Sequence, residues 1–385
     1  MVGKLPNTTK YLGYFFLCMA LNAVIFFKPF SVFFIPDSIL LAYLIYKFKD
    51  LDQEISAIFF VGAALFFGYY FLSPEPADVY FQNKYLVSLK PFLYICILAV
   101  YSQNAPSKSL YVVAKGVVTF YPYLLLWNIA LYFIKHHPPL TSLVQQARPF
   151  FIFENNFEIT FYISSFIALV FIYKDKSLKN YLYLALVILL ANSRSGLLSF
   201  LAITPFYFLT LDPKKRLIAF AATVGAVLFV GYSRNITQIA GNIDRLQTLQ
   251  AIWGYYDHNV FELLKIPFGY GIYQKVPTYI CVSLPEFAEW FVGNSNNCDP
   301  LMLQAFYTRG IYQYGIYVTL LIPILFFLLL CKDMGMRMAI IVMVPITCVA
   351  TSVGGFSNGL AFLGVLLCVY AYDQVSREKK ALRRC

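Results

Sequence analysis

Apolar runs follow one another along most of this chain, at about 11–27, 31–46, 55–72, 85–101, 117–134, 158–173, 181–193, 196–211, 217–232, 306–330, 338–352 and 357–372. A helix that crosses a bilayer needs roughly 17–25 predominantly apolar residues, so the pattern predicts spans, with 181–193 and 196–211 short for a perpendicular crossing. It breaks once at length, over 233–305, where Arg245, Gly269-Tyr270-Gly271 and Asn294-Ser295-Asn296-Asn297-Cys298-Asp299 stand in one polar excursion. The expected fold is an all-α polytopic membrane protein of about 12 transmembrane helices with one large extracytoplasmic loop containing short helices. Residues 1–232 hold the first nine spans and an external segment at 135–157, 233–305 the loop, 306–372 the last three spans and 373–385 a basic tail.

Composition supports lipid as the solvent, since 60% of the chain is hydrophobic and 13% charged, against roughly 45–50% and about 25% in soluble domains. Basic residues near span ends are retained in the cytoplasm. Lys4/Lys10, Lys47/Lys49, Lys108/Lys115, Lys174/Lys176/Lys179, Lys214/Lys215/Arg216, Lys332/Arg337 and the tail alternate onto one side. Both termini are thereby expected in the cytoplasm, with 11–27 retained as the first span. The opposite side collects Glu75, Asp78, Glu154, Asp244, Asp257, Glu262, Glu286, Glu289 and Asp299, so the long loop reads as extracytoplasmic. The net charge of +11 is then mainly topological, and basic residues dispersed among short loops do not form a nucleic-acid-binding face. Of eight cysteines, Cys281 and Cys298 fall in the external loop, where an oxidising compartment permits a disulfide. No Cys/His spacing points to a metal.

Three polar stretches carry candidate chemistry. Asn192-Ser193-Arg194-Ser195-Gly196 lies between two short apolar runs. An arginine at membrane depth costs about 2.5–3.5 kcal/mol on insertion scales, and its planar donor fork suits phosphate oxygens. Ser193, Ser195 and the backbone at Gly196 are possible further donors; a tight hairpin turn with a snorkelling arginine is the structural alternative. Arg148-Pro149-Phe150-Phe151-Ile152-Phe153-Glu154-Asn155-Asn156-Phe157-Glu158 places a guanidinium, carboxylates and amides beside aromatics at the entry to a span. Glu154 beside apolar surface is a candidate proton acceptor, with an ion pair to Arg148 as the alternative.

In the long loop, 243–253 has the spacing of an amphipathic helix, and Pro267-Phe268-Gly269-Tyr270-Gly271 is a turn whose glycines permit close backbone approach to a ligand or partner. Asn297 and Asp299 near its end are hydrogen-bonding types suited to sugar hydroxyls, and Arg309 at the next span is a further phosphate ligand candidate. A solvated loop and an interfacial arginine are the bland alternatives. Asp257-His258 offers a histidine for proton transfer, with an inert surface histidine as the alternative, and the pair His136-His137 has no third ligand nearby for a metal.

With these residues in view, the chain resembles the O-antigen polymerase (Wzy) family, within the bacterial surface-polysaccharide polymerase and ligase superfamily. The resemblance rests on Arg148…Phe153-Glu154-Asn155, Asn192-Ser193-Arg194-Ser195-Gly196-Leu197-Leu198, Arg245…Pro267-Phe268-Gly269-Tyr270-Gly271 and Asp299…Leu303-Gln304…Gly310…Gly315, across roughly 145–320. It implies a multi-pass protein of the bacterial cytoplasmic (inner) membrane with its large loop periplasmic. The implied activity is metal- and cofactor-independent glycosyl transfer between undecaprenyl-pyrophosphate-linked glycan donor and acceptor, with a chain-length regulator as a possible partner. Arg194 and Arg245 would then clamp the pyrophosphate, Arg148 or Arg309 assist, and Glu154 receive or orient the acceptor proton.

The related O-antigen ligases carry a functional histidine near the end of the loop, where this chain has Asn296, Asn297 and Asp299; polymerase is favoured over ligase on that difference. A lipid-linked oligosaccharide flippase or other transporter is the reading from another class. It calls for paired interrupted helices in two repeated halves and for ionisable groups buried mid-span, of which Asp37 is the only clear one in the sequence.

Overall fold

The computed structural model describes residues 53–72, 79–101, 110–136, 155–233, 244–272, 274, 276–277, 303, 305–351, 356 and 358–382. Among these, structure is helical with no strand. The helices are α1 (Gln53–Leu72), α2 (Val79–Tyr101), α3 (Leu110–His136), α4 (Asn155–Ile167, continued by a π-helical turn Ala168–Ile172), α5 (Leu178–Ala191), α6 (Arg194–Phe208) and α7 (Pro213–Ser233). There follow α8 (Asp244–Tyr255), α9 (Val260–Lys265), α10 (Phe306–Met334), α11 (Met336–Ala350) and α12 (Gly359–Leu382). Each apolar run from 55–72 onward is covered by one of these helices, because a lipid-facing segment must satisfy its backbone groups internally.

Three helices, Leu110–Lys135, Phe306–Met334 and Gly359–Leu382, are long and apolar enough to cross a membrane. By contrast α5 and α6 have 14 and 15 residues, about 21–23 Å at 1.5 Å per residue, less than a hydrocarbon core of about 30 Å. The last helix also differs from expectation: it runs on through the basic tail to Leu382, with Arg377 bonded to Asp373 at 2.8 Å one turn back. The expected spans 11–27 and 31–46 lie outside the described residues, as do Cys281 and Cys298.

The chain divides into two compact units. One comprises Met1–Ser38, Pro106–Ile236 and Leu363–Cys385; the other Ile39–Ala105 and Thr237–Phe362. In the first unit, the Tyr181 hydroxyl of α5 lies between Thr204 of α6 (2.8 Å) and Thr223 of α7 (2.7 Å), and its ring stacks on Tyr207 at 4.6 Å. Each threonine also donates to the carbonyl four residues back, so the tyrosine hydroxyl donates to one threonine oxygen at a time. Gly364 of α12 faces Ser164 of α4 so closely that a Cβ would stand 2.8 Å from the serine Cβ.

The end of α4 is locked to α3. After the π-turn, closed by the Tyr173 N–H on Ala168 O at 3.0 Å, Lys115 reaches Asp175 at 2.7 Å and Asn180 Oδ1 at 3.2 Å. Burial of Asp175 disfavours its charge, yet the hydrogen bond and charge of Lys115, helped by the Tyr111 hydroxyl, hold its carboxyl below the ordinary 3.8.

In the second unit, Tyr69 of α1 stacks on Phe92 of α2 (5.6 Å, interplanar 1°), and both meet Tyr314 of α10 edge-on at 5.2 Å. The loop helices have a small core of their own, Ile252, Tyr256, Leu263, Val276, Leu303 and Tyr312, which docks α8 and α9 on the start of α10.

Candidate functional site

The first group of candidate residues lies where α5 turns into α6. Asn192 ends α5 in the left-handed conformation (φ 46°), which asparagine tolerates, and Ser193 caps α6 by accepting the Gly196 N–H at 3.2 Å. Ser193 and Ser195 hydroxyls lie 3.2 Å apart and both residues are buried, as is Asn192. Their geometry holds the turn. Arg194 alone of this group is exposed; it stands in the first turn of α6, where the helix dipole presents roughly half a positive charge. Gly196 has no room for a side chain: a Cβ there would stand 3.1 Å from Ile159 Cγ2, so the first turns of α4 and α6 lie side by side.

The same first turn of α4 holds Glu158, 3% exposed, whose Oε2 accepts the Tyr121 hydroxyl at 2.9 Å. Tyr121 in turn stacks on Tyr162 at 5.1 Å. Sequence reading named Glu158 only as the end of a motif and chose Glu154 as the proton acceptor. The signal that separates them is position: Glu158 already lies on the apolar face of the entering helix, and an ionisable residue there is costly enough to mark a site. Arg194 and Glu158 thus stand in the first turns of two neighbouring helices of the first unit.

In the second unit the turn 267–271 carries Gly269 at φ 68° and Gly271 at φ 88°. The close approach these glycines permit is made to the chain's own backbone. A Cβ on Gly269 would stand 2.5 Å from the carbonyl group of Gln313 and from the Gly315 nitrogen. Tyr270 N–H donates to Tyr312 O and Gly271 N–H to Gln313 O, each at 3.0 Å. Opposite them α10 is interrupted at Gly315 (φ 76°, ψ 169°). Gly269 and Gly271 therefore pack the turn onto this break; the geometry gives them no separate ligand-facing role. Arg309, in the first turn of α10, is buried at 5% exposure, and Arg245 is the second residue of α8. Asp257 and His258 are exposed just after α8, both at positive φ.

Asn155 opens α4. Arg148, Glu154, Asn297 and Asp299 lie outside the described residues. Comparison with family models, with curated proteins and with solved structures gave no match.

Proposed function

We propose that this chain is a polytopic glycosyltransferase of the polysaccharide-polymerase type, acting on lipid-linked repeat units at the periplasmic face of the bacterial inner membrane. The supporting observation is the position of Arg194: the one exposed residue of an otherwise buried turn, set at a helix N-terminus beside the entry of α4. An anion is stabilised at such an end both by the guanidinium and by the free backbone N–H groups.

In the proposed reaction the acceptor sugar hydroxyl attacks the anomeric carbon of the donor. The carbon–oxygen bond to undecaprenyl pyrophosphate breaks, its electron pair leaves with the pyrophosphate, and the hydroxyl proton passes to a carboxylate. Arg194 and Arg245, assisted by Arg148 or Arg309, neutralise the departing charge. Glu154 receives the proton, and the Glu158–Tyr121 hydrogen bond holds the first turn of α4. Asn155, Asn297 and Asp299 bind sugar hydroxyls. About 12 spans, cytoplasmic termini and a periplasmic 233–305 loop belong to the same reading.

A flippase or transporter draws support from the broken α10. That break is filled by the chain's own turn, which leaves polymerase as the better account. Complementing a deletion strain with Arg194→Ala and resolving surface glycans by gel separates the readings. Single repeat units on the core support polymerase, complete absence of attached glycan supports flippase or ligase, and normal chain length excludes the role given to Arg194.

A further inference from the structure

Two internal rulers place the interruption of α10 in depth. On the topology proposed above Lys332 marks its cytoplasmic end, and Gly315 lies 17 residues away in sequence, about 26 Å along a helix. On α1, whose cytoplasmic end the same topology places at Glu54, Tyr69 lies 15 residues further on, about 22 Å. With a hydrocarbon core of about 30 Å, both positions fall several ångströms inside its outer boundary. The Tyr69 hydroxyl shares its proton between Tyr314 O (2.9 Å) and Phe268 O (3.0 Å). The turn 266–272 is therefore tied to the same level.

Non-helical backbone at that depth is tolerated only where the protein satisfies its polar groups, and several groups of the turn find partners within the protein. Gly269 N–H donates to Ile266 O, Tyr270 N–H to Tyr312 O, and Gly271 N–H to Gln313 O. Phe268 O accepts from Tyr69, Ile272 O accepts from Gln313 Nε2 at 3.1 Å, and proline at 267 has no N–H to satisfy. On the helix side, Gly315 O accepts the Thr319 hydroxyl at 2.7 Å. Meanwhile Phe268 is 66% exposed, close to a helix whose Phe67 and Tyr70 are likewise exposed. A water-facing loop has no need to bond these groups within the protein around so open an aromatic.

We propose that the 266–272 turn is inserted into the outer leaflet, with Phe268 against lipid acyl chains, so that the large loop is anchored in the bilayer at its middle as well as at its ends. The anchoring rests on the topology of that reading, with α1 and α10 as spans, and does not use its glycosyl-transfer chemistry. Its use is to hold the loop at the level where a lipid-borne headgroup arrives, whichever chemistry follows.

The test uses the full chain in nanodiscs of phosphatidylethanolamine and phosphatidylglycerol, with p-benzoylphenylalanine at position 268 and, separately, at Leu320, which is exposed on the apolar part of α10. After irradiation, lipid adducts are read by intact mass. Lipid adducts at 268 comparable in yield to those at 320 are expected. Adducts at 320 with none at 268 overturn the insertion of the turn, and absence of adducts at both overturns the assignment of α10 as a span and the proposal with it.

Discussion

Gly269 and Gly315 stand back to back, each in the left-handed half of backbone space, with the Cβ position of Gly269 only 2.5 Å from the Gly315 nitrogen. One glycine belongs to a loop and the other to an apolar helix, 46 residues apart in sequence. Their contact converts a helix interruption, normally a set of unpaired carbonyls, into a docking edge for the loop.

Alanine at either position meets backbone rather than a movable side chain. Strained φ costs about 1–3 kcal/mol, and forced overpacking typically another 1–3 kcal/mol. Gly335→Ala provides the reference, because it shares φ 76° with nothing within 4 Å of its Cβ position. Thermal unfolding in detergent is expected to rank Gly269→Ala and Gly315→Ala well below Gly335→Ala, and equal stabilities would refute the steric argument.

Tyr121→Phe removes a donor from a buried carboxylate. A hydrogen bond to a charged group contributes about 1.5–3 kcal/mol, so denaturant unfolding of the variant should show a loss of that order. Tyr121→Phe combined with Glu158→Gln should cost less than the two single changes summed, since the residues are in direct contact. Strict additivity would mean the pair is not coupled.

Arg194→Ala should leave stability within about 0.5 kcal/mol, as for exposed substitutions generally, while abolishing chain extension. Arg194→Lys should restore little, because an ammonium lacks the planar fork. Loss of folded protein in both variants, seen as aggregation on size exclusion, would instead assign the arginine to the fold.

The Lys115–Asp175 pair predicts an acid-dependent term. The folded-state carboxyl titrates below its ordinary 3.8, so its contribution is present above that value and is lost as pH falls through the lower, folded-state value. Both groups are partly exposed, which limits the pair to about 0.5–1 kcal/mol. The difference in melting temperature between the parent and Lys115→Met should shrink from pH 7 to pH 2.5; a gap that widens in acid would contradict the sign.

Helix positions were legible because burial in lipid forces both an apolar composition and internal backbone bonding, so the runs at 181–193 and 196–211 reappear as α5 and α6 within a few residues. The amphipathic segment at 243–253 likewise became α8. The turn that holds Arg194 was readable from its flanking apolar runs. Three features were not: the burial of Glu158 against Tyr121, the interruption at Gly315, and the use of Gly269 to meet it. A hydropathy pattern reports how each residue partitions between water and lipid, one position at a time. Which distant segment fills a gap in a helix, or covers a carboxylate, depends on contacts between residues far apart in the chain, and only the tertiary structure decides those.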